Sequence, residues 1–466
     1  MNMAAQTLEA QASIADRVQV LRDTFANGRT RDLAWRKGQL TRLEALINEQ
    51  QEAIAEALYA DLGKCKTEAW TSEIGFTLSD IQHTRKHLGK WSKPRKVSTP
   101  IAAQPGKSYQ LPEPLGTVLV IGAWNYPFQL VLAPVIAAIA AGNCVVMKPS
   151  ELASNTSSLL ARLIPQYLDQ EAFLVIEGAV EETTQLLALP FDHILYTGGE
   201  QVGKIVMRAA AEHLTPVTLE LGGKSPCLVD DDANLDVTAA RIVWSKWMNA
   251  GQTCVAPDYV LVTPAQKQPL MEALTKALET FYGKDPATSK DYGRIINDRH
   301  FARLQGYLDN QTIALGGQCD EGSRYMAPTI LDNPAADSPV MQEEIFGPIL
   351  PIIEIANLDE AIAWVNQRPK PLALYVYSNS DACVRRVLNE TSAGNVCIND
   401  GFMFMVNSEL PFGGVGNSGM GAYHGQSGFD TFSHLKTVMH RSFRFDVPLR
   451  YPPFSALKLS LLKRLL

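Results

Sequence analysis

Thr117-Val118-Leu119-Val120-Ile121 decides the fold. Five apolar or β-branched residues in a row leave no polar face, so the strand they form is covered on both sides. The same signal recurs downstream. Cys144 to Met147, Phe173 to Ile176, His193 to Tyr196 and Pro216 to Leu219 read as further strands. Between them, Leu130 to Ala141, Ala153 to Tyr167, Glu181 to Leu187 and Gln201 to Glu212 read as helices, with Ser150 as the expected cap of the second. Apolar strands alternating with helices mean a parallel sheet with helices on both faces. The predicted class is α/β: a Rossmann-like, doubly wound cofactor domain, a second α/β domain and a small β arm.

In such sheets ligands sit beyond the carboxyl ends of the strands. The residues there are Trp124, Asn125, Tyr126 and Pro127 after the first strand and Lys148, Pro149, Ser150 and Glu151 after the second. Thr197-Gly198-Gly199-Glu200-Gln201-Val202-Gly203 follows the fourth, and Glu220-Leu221-Gly222-Gly223 the fifth.

Upstream, residues 8–60 carry apolar residues at helical spacing, interrupted by Asn27-Gly28, with Thr30 as the expected cap of the next helix. Residues 91–115 hold five prolines and read as an extended arm. Downstream, residues 224–400 alternate again, with strands at Leu228-Val229, Tyr259 to Thr263, Thr329 to Leu331, Ile349 to Ile355 and Leu372 to Tyr377. A long helix is expected over Lys267 to Tyr282. The glycine-rich 411–421 reads as a loop, and the chain after Thr431 as extended and basic.

Composition sets bounds. The chain has 466 residues and a formal net charge of −7 spread without blocks, which argues against nucleic acid as a partner. No apolar run reaches the length of a membrane span. Residues 1–16 lack the pattern of a leader peptide, and seven scattered cysteines fit a reducing, cytoplasmic compartment. The eight histidines are read without metal-ligand spacing, so no metal site is expected. The tail from Thr437 to Leu466 is basic and ends in a leucine-rich run too short to span. It is expected to pack on its own subunit or a partner, with weak membrane contact as the alternative.

Several motifs carry chemistry, each beside a plainer reading. Cys254, at the end of Asn249-Ala250-Gly251-Gln252-Thr253, suits a thiol lifted by a turn into a cleft; a buried cysteine is otherwise inert filling. Gly198 to Gly203 departs from Gly-x-Gly-x-x-Gly; it allows close approach of a dinucleotide, or only joins strand to helix. Lys148 and Glu151 suit a ribose, or form an exposed ion pair. Asn125 suits an oxyanion, or bonds its own turn. Glu344 and Phe346 suit a ribose and a ring, or are an acidic turn.

Together these segments resemble the aldehyde dehydrogenase superfamily over nearly the whole chain. The marks are Trp124-Asn125-Tyr126-Pro127, Lys148-Pro149-Ser150-Glu151, Thr197 to Gly203, Glu220 to Pro226, Gly251-Gln252-Thr253-Cys254, Glu344-Ile345-Phe346-Gly347-Pro348 and Pro411-Phe412-Gly413-Gly414. Gly28 to Arg31 before Trp35-Arg36, the Gly416 to Gly425 run and Arg450-Tyr451-Pro452-Pro453 resemble the class 3, fatty aldehyde dehydrogenase-like branch.

The resemblance implies a cofactor domain from 1–91 and 116–221, a catalytic domain from 222–404, and an arm and tail from 92–115 and 405–466 that bridge to a second copy in a homodimer. It implies NAD or NADP as cofactor and a small-molecule aldehyde as substrate. It implies Cys254 as nucleophile, Asn125 with the Cys254 backbone N–H as oxyanion donors, and Glu220 as hydrolytic base. Cofactor contacts would come from Trp124, Lys148, Glu151, Gly198, Gly199, Gly203, Leu221, Glu344 and Phe346. Gly199 stands where many relatives carry serine. The implied reaction passes through a thiohemiacetal and a thioester to a carboxylic acid. The rivals are a CoA-acylating relative, against which Glu220 argues, and a non-catalytic binding protein on the same fold. Tyr126, Trp244, Trp247, Met248 and Phe402-Met403-Phe404 read equally as the lining of an apolar tunnel or as core; a tunnel would suit medium or long aliphatic aldehydes, with aromatic aldehydes as the alternative.

Overall fold

The computed structural model describes residues 13–444, 446 and 448–465. Residues 8–12 of the first expected helix and Leu466 of the leucine-rich run lie outside them. Four long helices open the described chain: α1 (Ile14–Ala26), α2 (Leu33–Glu49), α3 (Gln51–Leu62) and α4 (Gly75–Trp91). Asn27 ends α1, and Gly28 takes a left-handed φ of 84°. The cap of α2 is Asp32, not Thr30. A cap must stand immediately before the first helical residue in extended geometry, as Asp32 does, where its carboxylate accepts from the N–H groups of Ala34 and Trp35. Thr30 lies inside the preceding tight turn and is buried.

After β1 (Arg95–Val97) and β2 (Gly106–Pro114), the chain alternates β3 (Thr117–Ile121), α5 (Gln129–Ala141), β4 (Cys144–Lys148), α6 (Ser154–Tyr167), β5 (Phe173–Val175), α7 (Val180–Leu187), β6 (His193–Thr197), α8 (Glu200–Ala211) and β7 (Val217–Glu220). The parallel strand order is β7-β6-β3-β4-β5. The order reverses beside β3, whose five residues are all buried. Ser150 does not cap α6: its hydroxyl accepts from the Leu152 N–H in the turn before the helix. The start of α6 is held instead by Asp61 at the end of α3, which accepts from the N–H groups of Asn155 and Thr156.

The second sheet uses β8 (Pro226–Val229), β9 (Tyr259–Val262), β10 (Ile313–Leu315), β13 (Thr329–Asp332), β14 (Ile349–Glu354), β15 (Ala373–Tyr377) and β16 (Asn395–Ile398). A small hairpin of β11 (Cys319–Asp320) and β12 (Tyr325–Met326) lies between β10 and β13 in sequence. The order is β10-β13-β14-β9-β8-β15-β16, parallel except at β10. Helices α9 (Leu235–Trp247) and α10 (Pro264–Tyr282) pack against each other beside it.

Two readings change. The stretch 411–421 is not wholly a loop: β17 (Gly419–Met420) pairs antiparallel with β7 and extends the first sheet. Part of 405–466 therefore belongs to the cofactor sheet. The tail is not simply extended either. β18 (Ser433–Arg441) pairs with β2 along nine positions and makes the arm a three-stranded sheet, β1-β2-β18. The chain then ends in a helix, Ala456–Leu465, packed chiefly on its own preceding turn, Pro448–Arg450, with Leu457 and Leu459 exposed. Of the tail from Thr437 onward, the described residues up to Arg441 thus pack on their own chain through β2.

Candidate active site

Cys254 owes its position to a strained turn. After α9, Asn249, Ala250 and Gly251 take left-handed φ values of 53°, 50° and 75° in succession. Such backbone persists at non-glycine residues only where its surroundings hold it. Here Glu68 accepts from the Asn249 N–H at 2.8 Å, and the Gln252 amide donates to the carbonyls of Asn249 and Arg294 while accepting from the Ile296 N–H. Gly251 is obligatory on a second count: a Cβ there would stand 2.2 Å from the Gly347 carbonyl oxygen. The turn brings Cys254, half-buried, to the wall of a cleft of about 560 Å³, which Asn125, Glu220 and Glu344 also line.

Asn125 is buried and does not bond its own turn. Its Nδ2 donates to the Gln252 carbonyl at 3.1 Å, two residues before the thiol. Its own carbonyl accepts from Asn249 Nδ2 at 2.8 Å and Lys64 Nζ at 2.9 Å. Lys64 pairs with Glu73 at 2.5 Å, both side chains fully buried, and Glu73 accepts from the N–H groups of Phe128 and Gln129. Next door, the hydroxyls of Tyr126 and Thr253 lie 2.7 Å apart. The Asn125 segment and the Cys254 loop are thus one hydrogen-bonded unit.

Glu220 ends β7. It is buried, and neither carboxylate oxygen has a hydrogen-bond partner. Burial pushes its pKa well above the usual carboxylate value. Glu344 lies against the loop after β7: a Cβ on Gly222 would stand 2.1 Å from its Oε2. Burial, and secondarily Asp258, raise its pKa to about 8. Arg303 fastens this segment by donating to the carbonyls of Glu344 and Ile345, and Asp258 accepts from the Ile345 N–H. Burial raises the Cys254 thiol as well, and the two nearby carboxylates add to that; the backbone N–H groups of Cys254 and Val255 oppose it. Two carboxylates of raised proton affinity thus flank the sulfur.

The cleft continues along the carboxyl ends of β3, β4 and β6, past Lys148, Glu151, Gly198 and Gly199. Lys148 is buried, donates to the Pro149 carbonyl at 2.8 Å, and stands 3.8 Å from Glu151. The glycines act in different ways. A Cβ on Gly198 would meet the Tyr196 hydroxyl at 2.2 Å, and one on Gly203 would meet Leu221 at 2.8 Å. Both set how closely α8 approaches the cleft. Gly199 faces open space, so a serine would fit there. Trp124 meets Phe346 edge-on, centroids 5.2 Å apart.

The sequence reading missed Arg299, His300 and Arg303, which the helix Asp298–Gly306 brings to the same cleft. His300 packs on Trp124 at 5.1 Å, and burial lowers its pKa to about 4. No local pattern marks them; only the fold brings them here. Of the two readings open for Trp247, tunnel or core, it is core, its ring N–H donating to the Pro348 carbonyl. Trp244 does meet Phe402, and Phe404 stacks on Tyr375. The histidine reading also fails at one place: His83 and His87 stand four apart on α4.

The sequence pattern of the aldehyde dehydrogenase family matches residues 2–438. The chain is 52% identical to aldehyde dehydrogenase, dimeric NADP-preferring, of Rattus norvegicus over 447 residues, covering 96% of this chain and 99% of the relative. It is 50% identical to aldehyde dehydrogenase family 3 member A2 of the same organism, covering 95% and 92%. The solved substrate-bound state of Staphylococcus aureus AldH superposes with a TM-score of 0.95 at 49% identity, covering 97% of this chain and 99% of that one.

Proposed function

The chain belongs to the aldehyde dehydrogenase family, and from that premise we propose that Cys254, Asn125 and Glu220 carry NAD(P)-dependent oxidation of aldehydes to carboxylic acids. The observation that supports these roles is the meeting of Cys254, Asn125, Glu220 and Glu344 at one end of a cleft that runs along the strand ends. The cleft suits a dinucleotide: Lys148 and Glu151 would hold a ribose, Gly198 and Gly199 would leave room for phosphates at the start of α8, and Trp124, Leu221, Glu344 and Phe346 would surround the reactive end, while Gly203 lies outside the cleft lining, against Leu221.

Cys254 gives its proton to a neighbouring carboxylate and its sulfur adds to the aldehyde carbon. Asn125 Nδ2 and the Cys254 N–H hold the resulting oxyanion. Trp124, Leu221, Glu344 and Phe346 would hold a nicotinamide ring, which would supply the hydride acceptor; loss of hydride from the thiohemiacetal carbon leaves a thioester on Cys254. Glu220 then takes a proton from water as its oxygen attacks the thioester carbon, the C–S bond breaks, and the acid leaves. Glu220 favours water over coenzyme A as acceptor.

Both cofactors fit this reading. Glu151 disfavours a 2′-phosphate, while Lys148 and the open space at Gly199 tolerate it. The substrate is an aldehyde with an apolar chain, for which Trp244 packed on Phe402, and Phe404 stacked on Tyr375, offer an apolar surface. The assembly is a homodimer: β18 is a nine-residue edge strand with Met439 exposed beside Phe443, and such an edge invites a second chain. The tail helix, with its exposed leucines, belongs against that partner or, more weakly, a membrane surface. Among the described residues no helix is long and apolar enough to cross a membrane. The seven unpaired cysteines favour the cytoplasm. Replacing Cys254 by Ser tests the central role: turnover of an aliphatic aldehyde, followed by reduced-nicotinamide absorbance, should vanish while cofactor binding persists. Near-normal turnover would overturn it.

A further inference from the structure

We propose that His83, His87 and Glu409 form a binding site for a divalent transition-metal ion of the zinc type, separate from the dehydrogenase centre. The two histidines stand one turn apart on α4, on one face, with ring centroids 4.3 Å apart. Trp91, a further turn along, backs both rings at 5.7 Å and stacks on His87. Glu409 reaches them from the segment between β16 and Phe412. The donor atoms of all three lie within 4.8 Å of one another.

The hydrogen bonds leave the right lone pairs free. His87 Nδ1 lies 2.9 Å from the His83 backbone carbonyl, which can only accept, so Nδ1 carries the proton and Nε2 keeps its lone pair. A ring N–H given to a backbone carbonyl is how metal-binding histidines are oriented. His83 Nε2 is buried with no hydrogen-bond partner, 3.4 Å from Glu409 Oε1. Tetrahedral zinc bonded at about 2.0–2.1 Å places its ligands about 3.3–3.4 Å apart. The separation is a ligand edge as much as an ion pair.

An imidazole with an orphaned nitrogen, a second imidazole and a carboxylate suit a borderline metal cation, with solvent completing the shell.

The site would join two elements. Glu409 shares its segment with Phe402, packed on Trp244, and Phe404, packed on Tyr375, whose hydroxyl donates to the carbonyl of Val255 beside Cys254. A bound ion would staple this segment to α4.

The test uses the full chain carrying Cys254→Ala, so that the reactive thiol does not compete, dialysed against a chelator. Co²⁺ is titrated by absorbance and Zn²⁺ by calorimetry. The expected result is a single equivalent per chain, without the thiolate-to-cobalt charge-transfer band that cysteine ligation produces. His87→Ala and Glu409→Gln should each weaken binding at least about tenfold, the lower end of what losing a mere supporting group costs a metal site. Glu409 is largely exposed, so Glu409→Gln keeps the fold if His87→Ala does not. Absence of stoichiometric binding, a thiolate band, or affinity unchanged in Glu409→Gln would overturn the proposal.

Discussion

Replacing Glu220 by Gln keeps the shape of the side chain and removes its basicity. Glu220 is buried, its carboxylate oxygens accept no hydrogen bond, and burial holds its pKa well above the usual 4.5. Once ionised, it is a stronger base than an exposed carboxylate. One general base is worth about 10²–10⁴ in rate, or about 2.7–5.5 kcal/mol of barrier. Carbon–sulfur bond formation does not require a base at the water, whereas hydrolysis does. Stopped-flow absorbance of Glu220→Gln should therefore show a burst of about one equivalent of reduced cofactor per site, then turnover slowed by about 10²–10⁴. The wild-type deacylation rate should rise with pH above the ordinary carboxylate range as Glu220 ionises, and the variant should lose that limb. Loss of the burst would mean that Glu220 also takes the thiol proton. Unaltered turnover would move the base elsewhere, with Glu344 next.

Glu344→Gln should change the pH dependence of stability. Folded Glu344 holds its proton to about pH 8, while the unfolded chain releases it near 4.5. The folded state thus binds more protons across that window, and wild-type stability falls as pH rises through it. Thermal melts should show Glu344→Gln gaining on the wild type as pH rises from about 4.5 to about 8, with little further change outside that window; a pH-independent difference would contradict this. Lys64→Met leaves Glu73 charged, buried and without its cation, at a cost of about 3–5 kcal/mol; an unmoved denaturant midpoint would show that the Lys64–Glu73 pair does not hold the Asn125 segment. Glu151→Ser should shift the ratio of kcat/KM for the two cofactors toward NADP, and an unchanged ratio would remove Glu151 from the ribose.

The cofactor sheet was legible because β3, β4 and β6 are short apolar runs, each followed by residues with an evident polar use. Cys254 was legible because small and polar residues crowd before it. What escaped depends on contacts between distant parts of the chain. Asp61 holds the start of α6 from the end of α3, where sequence points to Ser150. Gly419 and Met420 find β7 only because the fold returns them there. Arg303 and His300 sit on an amphipathic helix whose inner face has no local mark. Nothing in the local sequence marks Lys64 and Glu73 as a fully buried pair. His83 and His87 were readable as a spacing, but the third donor, Glu409, comes from the far end of the chain.

The central claim is that the substrate's acyl group passes through Cys254. Glu220→Gln enzyme mixed with an aliphatic aldehyde and oxidised cofactor, quenched in acid during the burst and mapped by peptide mass spectrometry, tests it most directly. The added mass should equal the acyl group and lie on the peptide containing Cys254. An acyl group on any of the other cysteines, or none on a variant that has released its burst of reduced cofactor, would contradict the account.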